Sequence, residues 1–173
     1  SEKVNEEYLI RDIFEDAENN IWIATFGGGL IQIVENIFHQ PFDENWLRQQ
    51  SITQLFRDSE GNVWLGIDKG VFKTSEYSKQ SKFQYYHVGG NNISAISEDQ
   101  NGNSWVGTAT SGLDKLKKGN SDFKKISIKK GNLARAINSI SPNKDGIYVA
   151  TKAGLFLLSL KGSIKKHLST IDG

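Results

Sequence analysis

The chain of 173 residues contains no cysteine, no methionine and only two prolines. Without cysteine it can form no disulfide, no cysteine-ligated zinc site and no thiol nucleophile. Its apolar stretches are short, such as GLFLL at positions 154–158, so no stretch is long enough to span a bilayer. The chain opens with Ser1 and shows no signal peptide. We therefore expect a mature chain or a fragment, and the missing signal says nothing about export.

What is present is ordinary for a globular protein: 37% hydrophobic, 10% aromatic and 24% charged residues. Seventeen glycines accompany nine Phe, five Tyr and four Trp, which indicates many turns between aromatic strands. The length suits one domain, 1–173, or a few small repeated units.

A repeat runs through the whole chain. An aromatic residue recurs at intervals of 42, 41 and 43 residues, as Trp22, Trp64, Trp105 and Tyr148. An acid precedes each tryptophan by six residues, at Asp16, Asp58 and Asp99. Two apolar residues three apart come before the acid: Ile10 and Ile13, Ile52 and Leu55, Ile93 and Ile96, Ile137 and Ile140. The fourth copy is the most worn, because it has Asn143 for the acid and an inserted Pro142.

Each repeat is predicted to form four short strands, and no segment has a 3.6-residue period long enough for a helix. Gly61 and Gly102 are expected to supply the positive φ of a hairpin turn, which Asp58 and Asp99 would cap. A repeated four-stranded unit of this length is typical of a β-propeller. The predicted fold is therefore an all-β propeller of four-stranded antiparallel blades at about 8–42, 51–88, 92–128 and 136–169.

A lone four-stranded sheet cannot cover its own apolar faces, so the blades are expected to stack with the repeated tryptophan between them. Propellers close with about 4–8 blades. Four repeats could close alone, but we favour an arc of a larger ring with two open edges, which would promote pairing between chains.

Three segments carry a family resemblance: DAENNIWIATFGGGL at 16–30, DSEGNVWLGIDKGVF at 58–72 and DQNGNSWVGTATSGL at 99–113. They resemble the two-component regulator propeller repeat, whose pattern is an apolar pair, an acid, a Gly-Asn turn, Trp-x-Gly-Thr and Gly-Leu. The chain departs from it at Ala24, Ile67 and Tyr148.

The resemblance implies a seven-bladed ring in the periplasmic sensor region of a hybrid histidine kinase, or sometimes of a diguanylate cyclase. It also implies that the parent chain crosses the membrane elsewhere, and that glycan fragments are a common signal.

No catalytic residues, cofactor or metal are expected. The repeated acids are explained as turn caps, and Gly27–Gly29 leads into a strand rather than into the helix that a phosphate loop needs. The histidines fall in or just after the outermost strands, too far apart to share a metal: His39, His87 and His167.

Charge is uneven along the chain. Residues 1–110 sum to −8 and residues 111–173 to +9. The lysines of the second part favour guarded strand edges over a nucleic-acid surface. The opposed charges could also help chains or blades to associate.

A ligand is expected on one face, where the loops 43–51, 87–92 and 129–136 meet the turns 26–28, 68–69, 109–111 and 152–153. Trp46, Arg48 and Gln49 offer a stacking face and hydrogen-bond donors suited to a sugar or a carboxylate. The alternative is that Trp46 packs over a blade end. Weaker candidates in the neighbouring loops are Tyr86, Asn91, Asn92 and Arg135.

The sequence therefore predicts a noncatalytic extracytoplasmic sensor that binds a small ligand such as an oligosaccharide. One alternative is an interaction scaffold that self-associates through propeller faces or open edges. Another is a propeller lyase, which needs a general base beside a metal or an acid, and the sequence offers none. No nucleic-acid partner is expected, and any membrane contact would come through the parent chain.

Overall fold

The described residues of the chain form four antiparallel sheets, each made from four strands that follow one another in sequence. The computed structural model describes residues 9–39, 45–74, 82–129 and 131–169. Residues 8, 40–42 and 75–81 of the expected blades, and 43–44 and 130 of the expected ligand loops, lie outside the described residues. The sheets confirm the all-β propeller fold, and each is called a blade below.

The strand bounds follow the repeat. The first blade contains β1 (Leu9–Glu15), β2 (Ile21–Phe26), β3 (Leu30–Val34) and β4 (Ile37–His39). The second contains β5 (Gln54–Arg57), β6 (Val63–Ile67), β7 (Gly70–Thr74) and β8 (Phe83–His87). The third contains β9 (Ile93–Glu98), β10 (Ser104–Thr108), β11 (Gly112–Leu116) and β12 (Lys124–Ile126). The fourth contains β13 (Ile137–Asn143), β14 (Gly146–Thr151), β15 (Gly154–Leu158) and β16 (Ile164–Leu168).

Two four-residue helices interrupt this pattern: α1 (Asn45–Arg48) before the second blade and a 3-10 helix (Asn132–Arg135) before the fourth. The sequence predicted no helix, because a single helical turn is too short to show a period. Neither of the helices in the described ranges has the length and apolar character needed to cross a membrane.

The first strands of successive blades lie side by side at the inner edge of the arc. The backbone N–H of Leu55 donates to Asp12 Oδ2 of the preceding blade at 2.7 Å. Ser94 Oγ donates to the carbonyl oxygen of Ile137 in the next blade at 2.6 Å. Cross-blade hydrogen bonds of this kind fix the spacing of the blades near the centre, and the fourth strands lie at the rim.

The repeated tryptophans fill the space between blades, as the sequence predicted. Trp22, Trp64 and Trp105 are at most 1% exposed. Each contributes to a cluster with the apolar pair of the next blade: Trp22 with Ile52 and Leu55, Trp64 with Ile93 and Ile96, Trp105 with Ile137 and Ile140. Burial of such large side chains is the main favourable term that holds the blades together.

Each repeated aspartate makes a hydrogen-bonded bracket around the first hairpin of its blade. Asp58 accepts hydrogen bonds from the backbone N–H of Glu60 and Asn62, which confirms the predicted turn cap. Gly61 adopts the expected positive φ of 85°. The same carboxylate also accepts a hydrogen bond from Trp64 Nε1 at 3.0 Å, which the sequence did not predict. The indole is thereby fixed in the interface by the turn of its own blade.

Because each repeated aspartate accepts several hydrogen bonds, we expect the fold to lose stability in acid. Burial raises the pKa of Asp16, Asp58 and Asp99, but hydrogen bonds from the tryptophan and asparagine outweigh it and hold each pKa below its usual value. This contribution to folding is complete above the unfolded-state pKa of about 3.9 and is lost as the pH falls through the lowered folded-state pKa.

Urea unfolding from about pH 6 to about pH 2 should therefore show a falling free energy of unfolding below about pH 4. The variant Asp58→Asn should be less stable at neutral pH and show a flatter decline, whereas the exposed Asp122→Asn should follow the parent chain. A free energy of unfolding that is independent of pH in this range would contradict a stabilising role for the hydrogen bonds to the ionised aspartates.

The two ends of the arc are uncovered. Ile10 and Ile13 in β1 are 61% and 60% exposed, whereas their equivalents Ile52 and Leu55 are 0% and 8% exposed. At the other end Tyr148, which takes the place of the repeated tryptophan, is half-buried. We call the surface around Ile10 and Ile13 the first end face and the surface around Tyr148 the last end face. The four blades therefore form part of a larger propeller.

Candidate functional site

The connections between blades and the turns after each second strand lie at the same end of the arc. Ile52 N donates to the carbonyl oxygen of Thr25 at 3.0 Å, and Asn92 N donates to that of Asp68 at 2.8 Å. Lys152 N donates to Ala136 O at 3.2 Å in the fourth blade. These bonds join the two sets of loops into one surface, called the loop face below, as the sequence predicted.

A cleft opens on the loop face at the third blade, beside the connection that leads to the fourth blade. Its volume is about 380 Å³, which lies in the range of small-ligand sites, roughly 300–1,000 Å³. Three cationic side chains line it: Lys125, Lys129 and Arg135. Its uncharged polar lining includes Thr110, Ser111, Ser127 and Asn132. The cleft can therefore offer charged and neutral donors to one ligand.

Short local elements hold these groups in place. Thr108 is fully buried; its hydroxyl accepts a hydrogen bond from Ser111 N at 2.9 Å and donates to Gly112 O at 3.1 Å. This fixes the turn that carries Ser111. Arg135 ends the 3-10 helix, whose Ala134 is buried in the core between the third and fourth blades. The arginine is thus presented from an anchored turn.

The charges in the cleft are only partly compensated. Lys125 Nζ lies 3.1 Å from Asp114 Oδ2, and the Asp114 side chain is buried. None of the described residues that line the cleft is acidic. Lys129 and Arg135 are both exposed. The site therefore carries an excess of positive charge that faces solvent.

Of the predicted ligand residues, Arg135 lies in the cleft. Asn91 and Asn92 are exposed in the loop that follows Gly89, a residue of the cleft wall. The Asn92 backbone makes two hydrogen bonds: its N–H donates to Asp68 O at 2.8 Å, and its carbonyl oxygen accepts from Ala109 N at 2.9 Å. These two side chains are therefore near neighbours of the site rather than part of its lining.

Trp46, Arg48 and Gln49 lie elsewhere on the loop face, in and after α1 at the junction of the first two blades. The Trp46 ring lies 4.6 Å from Phe72 and 5.5 Å from Phe83 between centroids, so it packs on the second blade as the alternative prediction held. Arg48 and Gln49 are exposed. A ligand role for this group stays a prediction, and the group does not line the cleft.

Tyr86 is placed away from Arg135. It is 8% exposed and lies between Trp64, at 5.5 Å, and Phe123, at 6.1 Å between ring centroids. It lines a second cleft of about 500 Å³ between the second and third blades, together with residues of the first hairpins such as Asp58 and Gly102. This second cleft is at the end opposite the loop face.

Sequence reasoning missed Lys125, whereas Thr110 and Ser111 lie in the turn 109–111 that it placed on the ligand face. Lys125 looked like an edge guard because it sits on a rim strand, but its amine reaches Asp114 and the cleft. The signal that could have found it is the run of lysines next to the loop 129–136, where a rim strand leads back toward the centre.

Comparison with known proteins agrees with this architecture. The sequence model described as two component regulator propeller matches residues 6–27, 47–69 and 87–110, which belong to the first three repeats. The search of curated proteins found no match.

Solved structures share the fold. The extracellular domain of the proposed hybrid two component system BT3049 from B. thetaiotaomicron is 22% identical with a TM-score of 0.72, over 84% of this chain and 21% of that one. That of BT4673 from the same organism is 19% identical with a TM-score of 0.73, over 92% of this chain and 21% of that one. A virginiamycin B lyase from Staphylococcus aureus is 13% identical with a TM-score of 0.75, over 95% of this chain and 57% of that one.

At these identities the likeness shows the fold alone. The chain spans about one-fifth of the length of the two B. thetaiotaomicron domains. The matched repeats, the tryptophan interfaces and the four-stranded blades agree with one another. The chain is a β-propeller segment of four blades, and the first three of its repeats match the two component regulator propeller model.

Proposed function

We propose that this chain is a noncatalytic ligand-binding segment in the periplasmic sensor region of a bacterial two-component regulator of the hybrid histidine kinase type. The observation that carries the proposal is the polar cleft on the loop face, where the third blade and the connections on either side of it bring several donors together. Its ligand would be a small molecule such as an oligosaccharide. Binding would change the relative position of blades, and the parent chain would pass that change across the membrane.

Two residues of the kinds that a hydrolase or lyase uses, Asp99 and His167, are engaged in structure. Asp99 accepts hydrogen bonds from Asn103 and from Trp105 Nε1 at 2.8 Å. His167 stacks on Phe156 with ring centroids 4.1 Å apart, and its Nε2 lies 2.9 Å from Ala153 O. These contacts support a binding role over the lyase alternative, since a general base must be able to reach a substrate proton.

Blocking the cleft should weaken binding without harming the fold. A Cβ on Gly89 would meet Asp114 Oδ1 at 3.6 Å and Lys125 Nζ at 3.7 Å, which is ordinary contact distance. We expect Gly89→Ala to bind like the parent chain, and Gly89→Leu to lose at least about tenfold in affinity because its side chain occupies the mouth of the cleft.

The measurement is an NMR titration with a panel of neutral and acidic oligosaccharides. Amide shifts should change in 88–92, 109–112 and 127–136, and the sugars should be recovered intact. Turnover of a sugar would favour the lyase, and shift changes confined to the opposite end of the blades would refute the cleft as the binding site.

A second candidate, the self-associating scaffold, is favoured by the two end faces. Residues 9–39 carry one basic and five acidic side chains, whereas residues 131–169 carry six basic and one acidic. The first end face of one chain could therefore pair with the last end face of another by the same apolar stacking that joins the blades within the chain.

Sedimentation distinguishes the two candidates. The scaffold predicts a ligand-independent dimer that Ile13→Asp dissociates, because the substitution puts a charge in the apolar first end face. A monomer that binds sugar supports the sensor alone. A diguanylate cyclase in the parent chain is the alternative output, and the reading frame beyond residue 173 would reveal it.

A further inference from the structure

The cationic lining of the cleft goes beyond what a neutral sugar requires. Lys125, Lys129 and Arg135 come from three separate places: β12, the segment after it, and the 3-10 helix. Neutral sugars are bound through hydroxyl donors and acceptors, which Thr110 and Ser111 already provide. Three cations that converge on one cavity indicate that the ligand itself carries negative charge.

One buried carboxylate sets the electrostatic balance. Asp114 neutralises Lys125 at 3.1 Å and leaves Lys129 and Arg135 uncompensated among the described lining residues. Because Asp114 is buried and already paired, it stabilises the position of the Lys125 amine at the cleft wall. The cleft thus presents the paired Lys125 ammonium and, unpaired among the described residues, the Arg135 guanidinium, whose fork matches the two oxygens of a carboxylate.

We propose that the cleft binds an acidic oligosaccharide and recognises it through the carboxylate of a uronic acid. Arg135 receives the carboxylate, Lys125 and Lys129 supply further positive charge, and Ser111 and Asn132 bond to the hydroxyl groups of the sugar. The inference rests on the proposed function, since it names the ligand class for the same cleft. It adds a requirement for charge that a general oligosaccharide site does not have.

The test uses a pair of ligands that differ only at C6 of each sugar, where one carries carboxylates and the other carries neutral hydroxymethyl groups. Digalacturonate and the corresponding neutral galactose disaccharide are titrated into the chain by calorimetry, with sodium sulfate as a third arm. Digalacturonate should bind at least about tenfold more tightly than the neutral sugar, which is the effect of one charged hydrogen bond. Its affinity should fall as salt is raised, because the pairing is exposed to solvent.

Two variants locate the charge. Arg135→Gln should lower the affinity for digalacturonate by about tenfold and that for the neutral sugar by much less. Arg135→Lys should restore only part of the affinity because it lacks the fork. Lys161→Gln is the matched control: it removes one exposed positive charge from the turn before β16, outside the cleft, and should bind like the parent chain.

The other outcomes are each decisive. Equal binding of both sugars, or equal loss in Arg135→Gln and Lys161→Gln, overturns the acidic-ligand inference while ligand binding by the segment stands. Sulfate that binds as tightly as digalacturonate shows a simple anion site and also overturns it. If neither disaccharide binds but another neutral sugar shifts the loop face, the inference fails and the proposed function survives. If no sugar binds at all, both fail.

Discussion

Replacing Trp105 by alanine is expected to lower the free energy of unfolding by about 3–5 kcal/mol, the range for a large buried aromatic residue. Trp105 is fully buried among Ile137 and Ile140 of the fourth blade. Its ring also lies 4.8 Å from Lys115 Nζ, and its Nε1 donates to Asp99. Truncation therefore leaves a cavity between two blades and removes a hydrogen bond from a buried carboxylate.

Two further variants separate these contributions. Trp105→Phe keeps most of the packing but loses the N–H donor, so it should cost less than the alanine change and should flatten the dependence on acid. Tyr148→Ala makes a similar truncation at the half-buried last end face and should cost less than half as much. Urea unfolding measures all three. A loss for Trp105→Ala no larger than that for Tyr148→Ala would refute the interface.

Adding one methyl group at Gly107 is expected to destabilise the chain by about 1–3 kcal/mol, the usual cost of overpacking a close contact. A Cβ there would lie 2.4 Å from Ile137 Cγ2 and 2.8 Å from Ile137 Cβ, in the next blade. Gly107 in β10 and Ile137 in β13 lie near the first strands that fix the spacing between blades. Neither backbone can therefore move away without a cost in stability.

Gly89→Ala is the matched control, because its new Cβ meets its nearest neighbours at 3.6 Å or more. Its unfolding midpoint in urea should equal that of the parent chain, whereas Gly107→Ala should unfold at a lower concentration with the same slope. Equal midpoints for both variants would show that the third and fourth blades are not in close contact at Gly107.

The fold was predictable because the residues that form each interface between blades recur at fixed positions in every repeat. The same tryptophan, apolar pair and glycine recur because each blade must fit its neighbour in the same way. Gly66 shows the reason at a second interface, where a Cβ would lie 2.9 Å from Ile93 Cγ2. The pattern therefore reports both strand order and stacking.

The site was harder to predict because it departs from the repeat. Arg135 was identified from its loop, but Lys125 comes from the last strand of the third blade, and its place in the cleft depends on how the connection to the fourth blade folds beside that strand. Trp46 stood out as the tryptophan outside the repeat, yet its ring packs on Phe72, a contact 26 positions away in the chain. Distances of this kind are set by tertiary packing, which local patterns do not encode.

Hydrogen exchange at the indole N–H groups of Trp22, Trp64 and Trp105 tests the central claim most directly, namely that these side chains are enclosed between neighbouring blades and held by Asp16, Asp58 and Asp99. The account predicts that all three indoles exchange far more slowly than free tryptophan, at rates close to those of the most protected strand amides. Exchange of the three indoles at the rate of free tryptophan would contradict it.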